Sequence, residues 1–353
     1  MAVSLKPLKE QTMVITGASS GIGLVTARMA AGHGTRLVLA SRDEESLKEL
    51  EEQINNNSGS ALAVRADVGN EEDVERIAQT AIQRFGGIDT WVNNAGVSVY
   101  GKIEEVSLED HRRLFDTNFW GVVHGSRVAA AYLRTRGGAI INIGSTLSDR
   151  AIPLQGMYCA SKFAVRGFTD ALRMELEHDK APVSVTLIKP SAIDTPYVSH
   201  AKNYLPHEPE NPPPVYAPET VAEAILYAAT HPIRDVFIGA AGKAFSVMEK
   251  YAPRLTDRYM EATMIDQQNS ARPPARDREG SLHRPGGGLR ERGGYQGHVM
   301  ESSVYTNASL HPWITGAILG AVGFAVAALL AIPERRSTVQ QLADRAKSAM
   351  SMW

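Results

Sequence analysis

The sequence predicts an α/β fold: a doubly wound parallel sheet in three layers, extended by a C-terminal linker and a hydrophobic helix. Three observations predict it. Short apolar, β-rich runs alternate with helical stretches from Met13 to Gly239, at the spacing of βαβ units. The motifs with chemical promise each fall just after such a run, at the carboxyl edge where parallel sheets place their ligands. After Lys243 the alternation stops and the composition changes.

The 353 residues leave room for one large domain with extensions, or for two small domains. A net charge of −2 gives no global reason to expect nucleic-acid binding. The single cysteine, Cys159, excludes an intramolecular disulfide framework and fits a reducing compartment. Met1 to Gln11 lacks the basic-then-apolar pattern of a secretory signal, so the globular part is expected to be made and kept in the cytosol.

Met13-Val14-Ile15 reads as a buried first strand. Thr16-Gly17-Ala18-Ser19-Ser20-Gly21-Ile22-Gly23 follows, then a helical pattern from Leu24 to Gly32. Glycines at a strand-to-helix turn let the backbone approach a pyrophosphate, and the helix N-terminus offers it free N–H groups. The second strand, Arg36 to Ala40, ends at Ser41-Arg42. An acidic residue at this strand end grips the adenosine ribose, whereas a basic one accommodates a 2′-phosphate. Ser41 and Arg42 therefore favour NADP(H) over NAD(H), with Asp43 immediately after as the contrary sign.

Asp43 to Asn55 reads as a charged amphipathic helix, Ala61 to Ala66 as a third strand closed by Asp67-Val68, and Glu71 to Phe85 as the next helix. Thr90-Trp91-Val92 is a fourth strand, followed by Asn93-Asn94-Ala95-Gly96. Leu108 to Arg134 is a long helical region interrupted by Asn118 and Gly121. A fifth strand, Ala139 to Ile143, is closed by Gly144-Ser145. A helix from Tyr158 to about His178 leads to a sixth strand, Val183 to Ile188, then to Lys189-Pro190-Ser191-Ala192-Ile193-Asp194-Thr195. Glu219 to His231 reads as a helix and Asp235 to Gly239 as a seventh strand.

Tyr158 and Lys162 stand four apart on a helix and so project from one face. An ammonium beside a phenol favours the phenolate, which otherwise forms only near pH ~10. Ser145, at a carboxyl edge, precedes Tyr158 by thirteen residues. Cys159 turns away on the helix and reads as structural. The histidines show no paired metal-ligand spacing, and no metal is called for.

Together these stretches resemble the short-chain dehydrogenase/reductase family, of the single-domain type with a Tyr-xxx-Lys active site, over roughly Leu5 to Gly242. The resemblance implies a Rossmann-like sheet and hydride transfer between a nicotinamide and a carbonyl or secondary alcohol. It gives Asn118, Ser145, Tyr158 and Lys162 as the catalytic set. Tyr158 is then the general acid or base, Lys162 lowers its pKa and binds the nicotinamide ribose, Ser145 holds the substrate oxygen, and Asn118 holds a relaying water. The cofactor residues it implies are Gly17, Ser19, Ser20, Gly21, Ile22, Gly23, Ser41 and Arg42, with Asp67 and Val68 at the adenine. Asn94, Ala95 and Gly96 lie near the adenosine ribose, and Pro190, Ile193 and Thr195 toward the nicotinamide, beside Tyr158 and Lys162. One departure is Pro190-Ser191, where the family usually has Pro-Gly. The resemblance also implies a homodimer or homotetramer built on the Leu108 and Tyr158 helices.

Pro196 to Pro218, rich in proline and histidine, reads either as a mobile lid over the substrate or as a plain surface loop. Ala244 to Met264 reads as helical and as packing on the substrate entrance. The oxidoreductase domain is expected over residues 1–265, and a flexible linker over 266–311. Within that linker, Ala271 to Gln296 is dominated by arginine, glycine and proline. Trp313 to Pro333 carries no charge, so residues 312–333 are expected to be a membrane-associated or transmembrane helix, with a helix buried against protein as the alternative. Residues 334–353 form an amphipathic tail. The protein is accordingly expected at a membrane with its enzyme domain facing the cytoplasm, although the basic residues C-terminal to the span favour the opposite end of it there.

The sequence thus reads as an NADP(H)-preferring oxidoreductase of a lipophilic carbonyl or alcohol. The alternative is a membrane scaffold or sensor that holds NADP(H) without turnover, for which Tyr158, Lys162 and Ser145 together have no use. A sugar-nucleotide epimerase or dehydratase is disfavoured by the short segment after Pro190.

Overall fold

The computed structural model describes residues 3–311 and 315. It divides into a large unit, Met1–Thr306, and a C-terminal unit, Asn307–Trp353. Except for Thr315, the predicted hydrophobic helix over 312–333 lies outside the described residues, as does the tail over 334–353. Among the described residues no helix is long and apolar enough to cross a membrane.

Seven strands build the central sheet: β1 (Thr12–Thr16), β2 (Arg36–Ser41), β3 (Ser60–Arg65), β4 (Thr90–Asn93), β5 (Gly138–Ile143), β6 (Val183–Pro190) and β7 (Asp235–Ile238). All neighbours are parallel, in the order β7-β6-β5-β4-β1-β2-β3. The registers Val14↔Trp91 and Val14↔Val38 put β1 between β4 and β2. The order reverses beside β1, and an open crevice forms above the carboxyl ends there. Strands covered on both faces are predominantly apolar, and β1 and β5 are buried along their whole length.

Helices α1 (Gly21–Gly32), α2 (Glu44–Asn56) and α3 (Glu71–Phe85) follow the first three strands. Asp43 caps α2 by accepting from the Ser46 amide, and Asn70 caps α3 by accepting from that of Asp73. Their inward faces are Leu47, Leu50 and Ile54 on α2, and Val74, Ile77 and Ala81 on α3. Val14, Val38, Ile77, Trp91, Leu133 and Ile140 close one core layer.

Three stretches differ from the sequence reading. The helix expected to break at Asn118 and Gly121 runs on: α4 (Leu108–Phe115) passes through a π-wound turn, Asp116–Trp120, into α5 (Gly121–Leu133). There the Gly121 amide reaches the Asp116 carbonyl five residues back, so the low helix propensity of Asn and Gly is absorbed as a bulge. Next, residues 196–218 are tied down after α6 (Gly156–His178) by a short helix, α7 (Tyr197–His200), and two strand pairings. Lys202–Asn203 pairs with Val99–Tyr100, and Val215–Tyr216 with Ala192–Ile193 and Val299–Met300. Then come α8 (Pro218–Ala228), α9 (Ala240–Tyr251) and α10 (Pro253–Gln267), the last two separated at Pro253.

The third difference is the expected flexible linker. Residues 269–300 are part of the large unit, with Leu282 fully buried among Val97, Val99, Val106 and Leu114. Burying one leucine contributes about 1.5–3 kcal/mol, which anchors a chain otherwise poor in apolar residues.

Candidate active site

Tyr158 and Lys162 occupy one face of α6, beneath the carboxyl ends of β4, β5 and β6. The Lys162 Nζ donates to the Ile143 carbonyl at the end of β5, 2.9 Å away, and lies 5.6 Å from the Tyr158 ring centroid. Burial lowers the Lys162 ammonium to about 8. Burial also raises the Tyr158 phenol, to about 12, while hydrogen bonding to Tyr197 and Ser145 acts the other way. The expected depression by Lys162 is therefore not what the structure displays. The groups that favour the phenolate are Tyr197 and Ser145, and Lys162 is engaged by a carbonyl.

Ser145 closes β5 as the N-cap of a single 3-10 turn, Thr146–Ser148. Its Oγ accepts from the Leu147 amide at 3.1 Å and donates to the Pro190 carbonyl at 3.5 Å, which aims the hydroxyl across the crevice. Asn118 is fully buried and its amide is spent. Its Oδ1 accepts from the Val97 amide at 2.8 Å, and its Nδ2 donates to the Val97 carbonyl at 3.0 Å and to Ser161 Oγ at 3.2 Å. The Asn118 side chain braces the loop after β4 from behind.

The crevice is about 320 Å³ in volume. Gly23 and Asn118 do not line it; every other residue picked out from the sequence does. Gly23 serves packing: a Cβ there would stand 2.1 Å from the Gly17 carbonyl oxygen, so only glycine lets α1 approach β1 this closely. Asn94 staples the β4 loop to the β1 loop, its Nδ2 donating to the carbonyls of Thr16 at 3.0 Å and Gly17 at 3.2 Å. Asp67 Oδ2 accepts from Arg113 Nη2 at 2.6 Å. Ser191 does not adopt positive φ, so the glycine usual at that place is not required, and its Oγ donates to the Ile238 carbonyl at 2.6 Å.

An open backbone at the β1–α1 turn, a helix beyond it with no side-chain cap at its N-terminus and a continuous crevice from Arg42 to Tyr158 fit a dinucleotide. Past Tyr158 the wall becomes apolar, with Leu147, Ile152, Phe245, Met260 and Met264. Arg150 pins this end: it ion-pairs with Glu249 on α9 and, at 2.8 Å, with Asp257 on α10.

Two tyrosines were not legible in the sequence. Tyr197 meets Tyr158 edge to face at 5.5 Å between centroids, with its hydroxyl 2.8 Å from both Ser98 Oγ and Gln155 Oε1. Tyr100 packs on Tyr197 at 6.4 Å; its hydroxyl is buried without a partner among the described residues, and burial pushes the phenol far up. Tyr100 sits on a two-residue strand and Tyr197 on a one-turn helix, elements too short for any periodicity to announce them.

A family model described as short chain dehydrogenase matches residues 11–204. The chain belongs to the short-chain dehydrogenase family. Members of this family are oxidoreductases that act on CH–OH or C=O groups with a nicotinamide cofactor, and the chain is an oxidoreductase of that type. It is 50% identical over 329 residues, 92% of each chain, to a Bacillus subtilis (strain 168) protein named uncharacterized oxidoreductase YxnA. It is 40% identical to 11-beta-hydroxysteroid dehydrogenase A of Sesamum indicum over 187 residues, 52% of this chain and 53% of that one. Among solved structures, a short chain dehydrogenase/reductase from Burkholderia phymatum in complex with NAD superposes with a TM-score of 0.63 at 27% identity, over 69% of this chain and 94% of that one. An alcohol dehydrogenase from the archaeon Thermococcus sibiricus, complexed with 5-hydroxy-NADP, gives 0.57 at 26% identity, over 65% and 95%.

Proposed function

We propose that the chain interconverts a lipophilic carbonyl and its secondary alcohol using NADP(H), with Tyr158 as general acid–base. The observation that carries the reading is the buried Tyr158 phenol, facing Ser145 on one side and the apolar wall of Ile152, Phe245, Met260 and Met264 on the other. The bound nicotinamide supplies or accepts the hydride. The residues do the rest. Ser145 Oγ holds the substrate oxygen, and Tyr158, neutral well above working pH, gives that oxygen a proton in reduction. In oxidation Tyr158 takes the proton, with Tyr197 and Ser145 stabilising the phenolate. The Lys162 ammonium, fixed by the Ile143 carbonyl, holds a ribose hydroxyl and adds positive charge nearby.

NADP(H) over NAD(H) is supported by the end of β2. Arg42 stands there, and the carboxylate of Asp43 is turned away to cap α2, accepting from both the Ser46 amide and its hydroxyl. An acidic grip on the ribose is thereby removed. Exposed Leu108, Trp120 and Phe163 on the α4–α6 side support assembly with a second copy.

The test is a fluorescence titration with NADPH and NADH, followed by NADPH consumption on matched short and lipid-like carbonyls. The reading expects tighter NADPH binding and turnover that rises with substrate hydrophobicity. Tight binding with no turnover on any carbonyl would favour the non-catalytic scaffold.

A further inference from the structure

Residues 278–293 run across the mouth of the dinucleotide crevice, beyond the residues the family model matches. At the adenosine end, Arg42 donates to the carbonyls of Ser281, Leu282 at 3.0 Å and Arg284 at 3.2 Å. Arg113 Nε adds a bond to the Leu282 carbonyl at 3.2 Å. At the phosphate end, the Gly21 amide donates to the Arg290 carbonyl at 2.8 Å, and Arg28 ion-pairs with Glu291 at 2.5 Å. At the nicotinamide end, the amides of Gly293 and Tyr295 both donate to Asp194 Oδ1 at 3.0 Å.

Gly280 and Gly293 are sites of contact rather than of slack. A Cβ on Gly280, which has φ +57°, would stand 2.3 Å from the His200 carbonyl oxygen, and one on Gly293 would stand 2.2 Å from that of Thr195. From the side, His283 Nε2 meets Asp110 Oδ1 at 2.6 Å. Asp110 also takes Tyr204 and Lys202, and these partners hold its carboxyl near 2 against the upward pull of burial. Ser281, Pro285 and Gly286 face into the crevice and form its outer wall.

We propose that residues 278–293 are a strap over the dinucleotide, a binding element outside the family core, and that the cofactor enters and leaves only when the strap lifts. The proposal rests on the reading of this crevice as the NADP(H) site. The strap's carbonyls hold Arg42 and the Gly21 amide, donors that an incoming dinucleotide needs for its own anionic oxygens, so entry requires those bonds to exchange. Once the dinucleotide is in place, Ser281, Pro285 and Gly286 cover its adenosine half, and release waits on the same movement. The bonds lie at both ends and along one side, so opening breaks several at once and is slow relative to diffusion.

The test preloads the full-length protein with NADPH, chases it with excess NADP⁺ and follows the loss of NADPH fluorescence. Gly280→Val forces the strap off His200, and His283→Ala, a milder change at a half-exposed residue, removes the side pin. Both variants are expected to release NADPH at least about tenfold faster than the unchanged protein, with tryptic cleavage after Arg290 and Arg292 accelerated in parallel. Should Gly280→Val fail to fold, His283→Ala carries the comparison. NADPH binding with release unchanged in the folded variants overturns the strap and leaves the cofactor assignment standing. No NADPH binding to the unchanged protein overturns both.

Discussion

The rings of Tyr158 and Tyr197 meet edge to face, 5.5 Å between centroids and 67° between planes, at the floor of the crevice. Tyr197 is itself anchored by Ser98 and Gln155, and the Gln155 Nε2 in turn donates to Gln268 Oε1 at 2.8 Å in a buried amide pair. The acidity of Tyr158 therefore depends on the segment after β6 as well as on its own helix.

That dependence is open to test with Tyr197→Phe, which keeps the ring and removes the hydroxyl. Hydrogen bonds to charged groups contribute about 1.5–3 kcal/mol, so kcat/KM for alcohol oxidation should fall about tenfold or more. The rising limb of its pH profile for oxidation should move to higher pH, because a donor that lowers the Tyr158 phenol is gone. Reduction, in which the phenol stays protonated until it acts, should suffer less. An unmoved profile would show that Tyr197 only packs.

Lys162 predicts a pH-dependent stability. Its folded-state value of about 8 lies below the ordinary 10.5, so between those limits the unfolded chain binds more protons and stability rises with pH. The destabilisation is complete below pH 8 and relieved by about pH 10.5. Lys162→Met should raise the melting temperature at pH 7, and the gain over the unchanged protein should shrink steadily toward pH 10. Thermal melts across that range decide it; a gain that stays constant with pH contradicts the buried charge.

Arg42→Ala should weaken NADPH about tenfold while leaving NADH within about a factor of two, as expected for one lost charge-assisted contact to a phosphate. Equal weakening of both in a fluorescence titration would mean that Arg42 supports the fold of the site rather than the choice of cofactor.

Leu282→Ala should cost about 2–5 kcal/mol, as for a truncated core leucine. A flexible linker would lose nothing, and urea unfolding separates the two.

Much of the sheet was legible because strands buried on both faces, such as Met13–Ile15 and Ala139–Ile141, read as unbroken apolar runs. Gly17, Gly21, Arg42, Ser145, Tyr158 and Lys162 were legible because each follows a strand or sits one helical turn from a partner. Residues 271–296 were not, since glycine that admits a close contact and glycine that loosens a linker have the same composition. Leu282 alone marked the difference, and its partners lie in Val97–Leu114, far away in sequence. Tyr197 was hidden for a related reason: its value comes from Tyr158, Ser98 and Gln155, which only the folded chain brings together. Asn118 was found by its place in the family pattern, but its bonds to Val97 and Ser161 depend on the π-wound turn that propensity read as a break.

The central claim is that Tyr158 moves the proton. The most direct measurement compares Tyr158→Phe with the unchanged protein for NADPH affinity by fluorescence and for kcat on a carbonyl that the unchanged protein reduces. The account predicts NADPH binding within about twofold and kcat reduced by about 10²–10⁴, the range lost with a general acid. Turnover undiminished in Tyr158→Phe would contradict it.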